Sequence, residues 1–106
     1  MQHNQVVIGG TLLEVGALRH TPAGVAIIVV KMFHASEQFE AKIRRRVECE
    51  VEATAFGELA EQIAKMRTGQ DVTIKGFLAK KNFRNAKLVL HISAIEIEKE
   101  NNYAAS

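Results

Sequence analysis

The 106-residue chain has no tryptophan, one cysteine, one proline, and aromatic residues at only 6% of its positions. Cys49 has no cysteine to pair with inside the chain, and four scattered histidines beside one thiol match no zinc-ligand spacing. A disulfide- or zinc-stapled miniprotein is excluded. The longest apolar run, Val25 to Val30, is far below the ~20 residues a bilayer span needs. Met1-Gln2-His3-Asn4 lacks a charged-then-apolar leader, so a cytosolic, membrane-free protein is expected. No nucleophile with a base, no carboxylate pair and no phosphate loop stands out, and Gly9, Gly10 and Gly16 open no helix as a dinucleotide loop must. Neither an enzyme nor a cofactor or metal is expected. Cys49, between Val47 and Val51, is expected to be an inert, inward-facing thiol.

What is present is ordinary core material, 47% hydrophobic with 25% charged residues, enough for one domain over residues 1–106. Its core should run from about residue 5 to 98, with a frayed polar tail over 100–106. The net charge is only +2, but it is unevenly spread. Val72 to Ile95 contains five cations and no acid, and Lys42, Arg44, Arg45 and Arg46 fall within five positions. Acids gather at Glu48, Glu50 and Glu52, at Glu58 and Glu61, and at Glu96, Glu98 and Glu100. One basic and one acidic face are expected, the footprint of a polyanion binder.

Periodicity predicts three strands, a helix and two more strands. The first strand is Gln5 to Val15, bent at Gly9-Gly10; a turn at His20–Gly24 leads to the second, Val25 to Phe33. In the third, Val47, Cys49, Val51 and Ala53 alternate with Glu48, Glu50 and Glu52. After Thr54, a candidate N-cap, the period lengthens, and Phe56, Leu59, Ile63 and Met66 or Arg67 form a helical stripe ended by Gly69. The fourth strand is Val72 to Ala79, Lys80 to Ala86 reads as a hairpin loop, and the fifth is Lys87 to Glu98. Leu88, Leu90 and Ile92 share one parity while Ile95 and Ile97 share the other, which calls for a bulge near Ser93-Ala94. The order is that of an all-β, five-stranded OB-fold barrel with one short helix between strands three and four. A plain small barrel or an open α+β sheet is the alternative.

Within that frame the 80s segment combines cations for phosphates with a ring on which bases can stack: Lys80, Lys81, Arg84 and Lys87 surround Phe83. The alternative for Phe83 is folding back on the barrel rim. Phe39, in the polar stretch Ser36 to Glu40 between strands two and three, carries the same ambiguity, whereas Phe33, Phe56 and Phe77 read as core or rim packing. His91, out of phase with its apolar neighbours, should face outward or sit at a rim, and His34 closes the second strand.

The turn Thr21-Pro22-Ala23-Gly24-Val25, the stretch Gly69-Gln70-Asp71-Val72-Thr73-Ile74-Lys75-Gly76-Phe77-Leu78, and the finish Leu88-Val89-Leu90-His91 to Ile95-Glu96 resemble primosomal replication protein N (PriB), a relative of bacterial single-stranded DNA-binding proteins. The likeness spans about Gln5 to Glu98. It implies a homodimeric OB protein that binds single-stranded DNA and associates with the PriA helicase and other primosome proteins at a stalled fork. By position it implies contacts at Lys80, Lys81, Phe83, Arg84 and Lys87 and, on strand three, at Lys42, Arg44 and Arg46; Phe39 and Lys75 complete the expected site. Two departures stand out: the chain has no tryptophan for strand three, and Glu48, Glu50 and Glu52 lie on its exposed face. The rival expectations are an OB protein-interaction module and an RNA-binding OB domain.

Overall fold

The computed structural model describes residues 2–98. The expected tail over 100–106 lies outside the described residues. The elements in chain order are β1 (Val6–Val15), β2 (Arg19–His20), β3 (Ala26–Glu40), β4 (Ile43–Phe56), α1 (Glu58–Ile63), β5 (Asp71–Asn82) and β6 (Asn85–Ile97). The sheet order is β1-β5-β6-β4-β3-β2, and a further β1–β3 pairing closes five long strands into a mixed barrel, with β4 and β6 as its parallel pair. This is the OB-type barrel that the strand and helix order predicts. The two-residue β2, which enters the segment read as a turn at His20, lies beside β3.

Closure depends on β1, whose first half pairs with β5 and whose second half pairs with β3. Gly10 sits at that crossover, where an added Cβ would come within 2.2 Å of the Phe33 carbonyl oxygen, so only glycine allows the approach. The bulge in β1 itself falls one turn of pleat later, between Leu12 and Glu14. Gly76 is the matching position on β5, with the His91 oxygen 1.8 Å from any Cβ. Opposite it, Lys75 pairs with Ala94 and Gly76 with Ile92, which leaves Ser93 as the extra residue that the parity change requires.

The core consists of Leu12, Ile28, Val30, Met32, Ala53, Ala55, Val72, Ile74, Leu90 and Ile92, with Ala60 and Ile63 of α1 packed against it. Helix α1 is shorter than expected. Thr54 is no N-cap: β4 continues past it to Phe56, and its buried hydroxyl donates to the Ile28 carbonyl at 3.1 Å. Gly57, at φ 73°, takes the cap position instead, a backbone conformation that threonine adopts poorly.

The second difference lies in two hairpin arms. Ser36 to Glu40 is no loop but the end of β3, paired with β4 in unbroken register from Ile27↔Phe56 to Glu40↔Ile43. Lys80 to Ala86 is likewise mostly strand, reduced to a two-residue turn between Asn82 and Asn85. Both arms extend beyond the core: every residue from Glu37 to Glu50 except Val47 is exposed, as is every residue from Lys80 to Leu88. Cys49 is therefore exposed rather than inward-facing, because past Val51 neither face of the ribbon has a layer to bury against.

Candidate nucleic-acid interface

The β5–β6 arm is built by its asparagines. Asn82 Oδ1 accepts from the backbone N–H groups of both Arg84 and Asn85 at 2.9 Å, and Asn85 Oδ1 accepts from Lys87 N–H at 3.0 Å. These side chains tie the turn without positive φ, and they leave Phe83 and Arg84 at its tip. Phe83 is 93% exposed, with Lys80 Nζ 5.9 Å from its ring centre. Its base is held differently. Glu52 on β4 lies 3.3 Å from Lys81 Nζ and 3.8 Å from Lys87 Nζ.

The β3–β4 arm turns through Ala41 and Lys42, both at positive φ (53° and 67°), the twist that two-residue hairpins favour. Phe39 is 71% exposed, and the Arg44 guanidinium stands 5.7 Å from its ring centre. Here the cations are matched within the arm: Arg44 with Glu37, Arg45 with Glu40, and Arg46 with Glu48. Arg45, which shares the parity of Val47 and Cys49, is exposed because the arm has no inside.

A third feature lies on the outer face of the barrel. The rings of Phe77 and His91 stack at 5.0 Å and 17°, and those of His91 and Phe56 at 5.8 Å and 19°. Register explains the row: Phe77 pairs with His91, His91 with Thr54 two residues from Phe56, Phe56 with Ile27, and Ile27 with Arg19. Of the core or rim packing expected for Phe56 and Phe77, the core is not taken: both are half-exposed on the outside. Lys75, two residues from Phe77, flanks this row instead of joining the 80s hairpin, and Arg19 closes its other end. A cleft bordered by Arg19, Phe56, His91, Lys81 and Asn82 connects the row to the base of the β5–β6 arm. A stripe of flat rings crossing several strands between cations can support unpaired bases whatever their identity.

Comparison with known proteins decides the family. Residues 4–94 match a family described as another single-strand binding protein family. The replication restart protein PriB of Nitrosomonas europaea is 47% identical over 92 residues, covering 87% of this chain and 85% of that protein. The chain belongs to the PriB replication restart family. PriB of Bordetella pertussis is 38% identical over 89 residues, covering 84% of this chain and 83% of the relative. The solved structure of PriB from Ralstonia solanacearum superposes with a TM-score of 0.84 at 33% identity, over 92% of this chain and all of that one. A single-stranded DNA-binding protein from Thermus aquaticus shares the fold alone, at 22% identity and a TM-score of 0.75, with 51% of its length covered. The matched family is described by single-strand binding, and the relatives by replication restart. Among the described residues, no helix is long and apolar enough to cross a membrane.

Of the residues expected in the site, Lys80, Lys81, Phe83, Arg84 and Lys87 come together on one arm, and Phe39, Lys42, Arg44 and Arg46 on the other. The row of Phe56, His91 and Phe77 was missed as a unit. Its one sequence signal was the parity of His91, opposite to that of Leu90 and Ile92.

Proposed function

We propose that this chain is the single-stranded DNA-binding accessory protein of a replication-restart primosome. It binds unpaired DNA with little sequence preference and bridges it to the PriA helicase and other primosome proteins, as a cytoplasmic homodimer. The observation that carries the reading is Phe83, a nearly fully exposed phenylalanine at the tip of a hairpin whose turn is tied by Asn82 and which also carries Lys80, Lys81, Arg84 and Lys87. A large apolar ring in water is costly unless something covers it, and a base flanked by phosphates meets both the ring and the cations. On this reading Phe83 stacks, Lys80 and Arg84 hold the backbone, and Lys75 together with the Phe56–His91–Phe77 row extends the track over the barrel. Lys42, Arg44, Arg46 and Phe39 form its outer border. The replication-restart role rests on the names of the relatives.

A labelled oligo-dT titrated against salt, beside a duplex and a matched RNA, tests it. If about four phosphates are engaged, log affinity should fall with log salt at a slope near −3. No binding in low salt, or a slope of zero, overturns the DNA reading; preference for the RNA would point to recognition of the 2′-hydroxyl. Bridging is tested by capture of purified PriA in the presence of nuclease. The charge-matched β3–β4 arm, with Phe39 and Ile43 exposed on it, favours a second reading in which that arm contacts protein. Capture of PriA that is lost on Phe39→Ala but kept on Phe83→Ala supports it.

A further inference from the structure

Glu52 is the acidic side chain that meets the β5–β6 arm. It stands on β4 opposite Lys31, its side chain only 22% exposed, and its two carboxylate oxygens reach two different lysines, Oε2 to Lys81 and Oε1 to Lys87. It also borders both clefts beneath the arm, the one leading to the ring row and the one floored by Val51, Leu78, Leu88 and Leu90. Among the described residues, Lys80, whose ammonium stands 5.9 Å from the Phe83 ring centre, and Arg84 in the turn have no carboxylate within ion-pair distance. The four cations of the arm therefore divide into two that are open and two that share one carboxylate.

We propose that Glu52 is a built-in competitor for phosphate: it occupies Lys81 and Lys87 in the free protein and thereby holds down the affinity for single-stranded DNA. The proposal rests on the single-strand reading above. A carboxylate between two ammonium groups mimics a bridging phosphate, so a nucleic acid reaching these lysines exchanges one anion for another instead of meeting bare charge. Each exchange weakens the gain in two ways. The attraction between strand and arm is reduced by the resident negative charge, and fewer of the strand's condensed counterions are released where a lysine is already neutralised. The arrangement also sets a direction for engagement: the strand meets Lys80, Phe83 and Arg84 first, and reaches Lys81 and Lys87 only by displacing Glu52. Half-burial makes this competitor stronger than the exposed pairs of the other arm, since screening by solvent and salt is weaker there.

The experiment compares wild type with Glu52→Gln, which keeps shape and removes charge, by oligo-dT titration at several salt concentrations, with thermal melting as a control for folding. The expected result is a gain in affinity on the order of tenfold in low salt and a slope steeper by about one, as two released lysines each contribute up to about 0.7. In a Lys81→Ala/Lys87→Ala background the same substitution should bring little of this gain, which separates relief of competition from a general loss of negative charge. Glu50→Gln, one pleat away with no ion pair to the arm among the described residues, should leave the slope near wild type. Wild type and Glu52→Gln binding with equal affinity and slope overturns the proposal and leaves the DNA reading intact. Weaker binding by Glu52→Gln also overturns it and makes Glu52 a group that positions the lysines. If neither protein binds oligo-dT, both readings fall.

Discussion

The two hairpin arms are near copies in outline but differ in charge, β3–β4 being close to neutral and β5–β6 basic. Each is a solvent-exposed ribbon with a two-residue turn, a phenylalanine close to the tip, and a cation between 5.7 and 5.9 Å from that ring. On β3–β4, three arginines face three glutamates of the same arm; on β5–β6, two of the four cations share Glu52 from outside it, and the other two have no carboxylate partner among the described residues. The comparison teaches that counting cations misjudges a binding surface. Lys42 to Arg46 is the densest basic run in the chain, yet Glu37, Glu40 and Glu48 nearly cancel it once the strands pair.

The largest expected effect follows directly. Replacing Lys80, Lys81, Arg84 and Lys87 together with alanine should weaken binding to oligo-dT on the order of a hundredfold in low salt and flatten the salt slope by about two. Replacing Lys42, Arg44 and Arg46 should cost less than about threefold, because two of those charges are already compensated nearby. Equal losses in a side-by-side titration would break the comparison and spread the site over both arms.

The phenylalanines come next. Phe83→Ala should lose about 1 to 3 kcal/mol of binding, the worth of a base stacked on a ring, with the salt slope unchanged because no charge is removed. Phe39→Ala should lose under about 1 kcal/mol. A Phe83→Leu variant sharpens the test, since it keeps apolar area without a flat face. Recovery of full affinity by leucine would replace stacking with simple burial.

The barrel was legible where strands have an inside and an outside. Val51 and Ala53, the Ser93 bulge and the Leu59–Ile63 stretch all carry alternation or a change of period that burial imposes. The arms were not, because a ribbon with solvent on both faces has no reason to alternate; apart from Phe39, Phe83 and Ala86, Ser36–Glu40 and Lys80–Ala86 are polar, and polarity reads as loop. The same reason hid the exposure of Cys49, where a valid parity was carried past the end of the core. The candidate site divides in the same way. Cations and Phe83, clustered in sequence, were visible, whereas Phe56, His91 and Phe77 become neighbours only through cross-strand register.

A smaller effect runs in the opposite direction. Glu37→Gln, Glu40→Gln and Glu48→Gln combined should turn the β3–β4 arm basic and raise affinity for oligo-dT a few-fold, without a measurable loss of stability. Exposed ion pairs contribute only about 0 to 1 kcal/mol each, and these side chains are half-exposed or more. A gain as large as that expected from Glu52→Gln would mean that total charge, and not the placement of Glu52, governs the surface.

The smallest effect concerns the turns themselves. Lys42 adopts φ 67° without being glycine, a left-handed conformation that costs a side-chain-bearing residue about 1 to 2 kcal/mol. Lys42→Gly relieves that cost but adds freedom to the unfolded chain, so the net gain should be about 0.5 kcal/mol, a rise in Tm of roughly 2 to 4 °C. The other arm offers no such gain, since its turn has no positive φ and is held by Asn82; Arg84→Gly should lower Tm, and Asn82→Ala should lower it further by stripping the acceptor from two backbone N–H groups. Melting curves of the three variants decide it. Opposite signs for Lys42→Gly and Arg84→Gly would show that the arms differ in backbone construction as well as in charge, with a stiff, side-chain-tied tip where the exposed ring must be held in place.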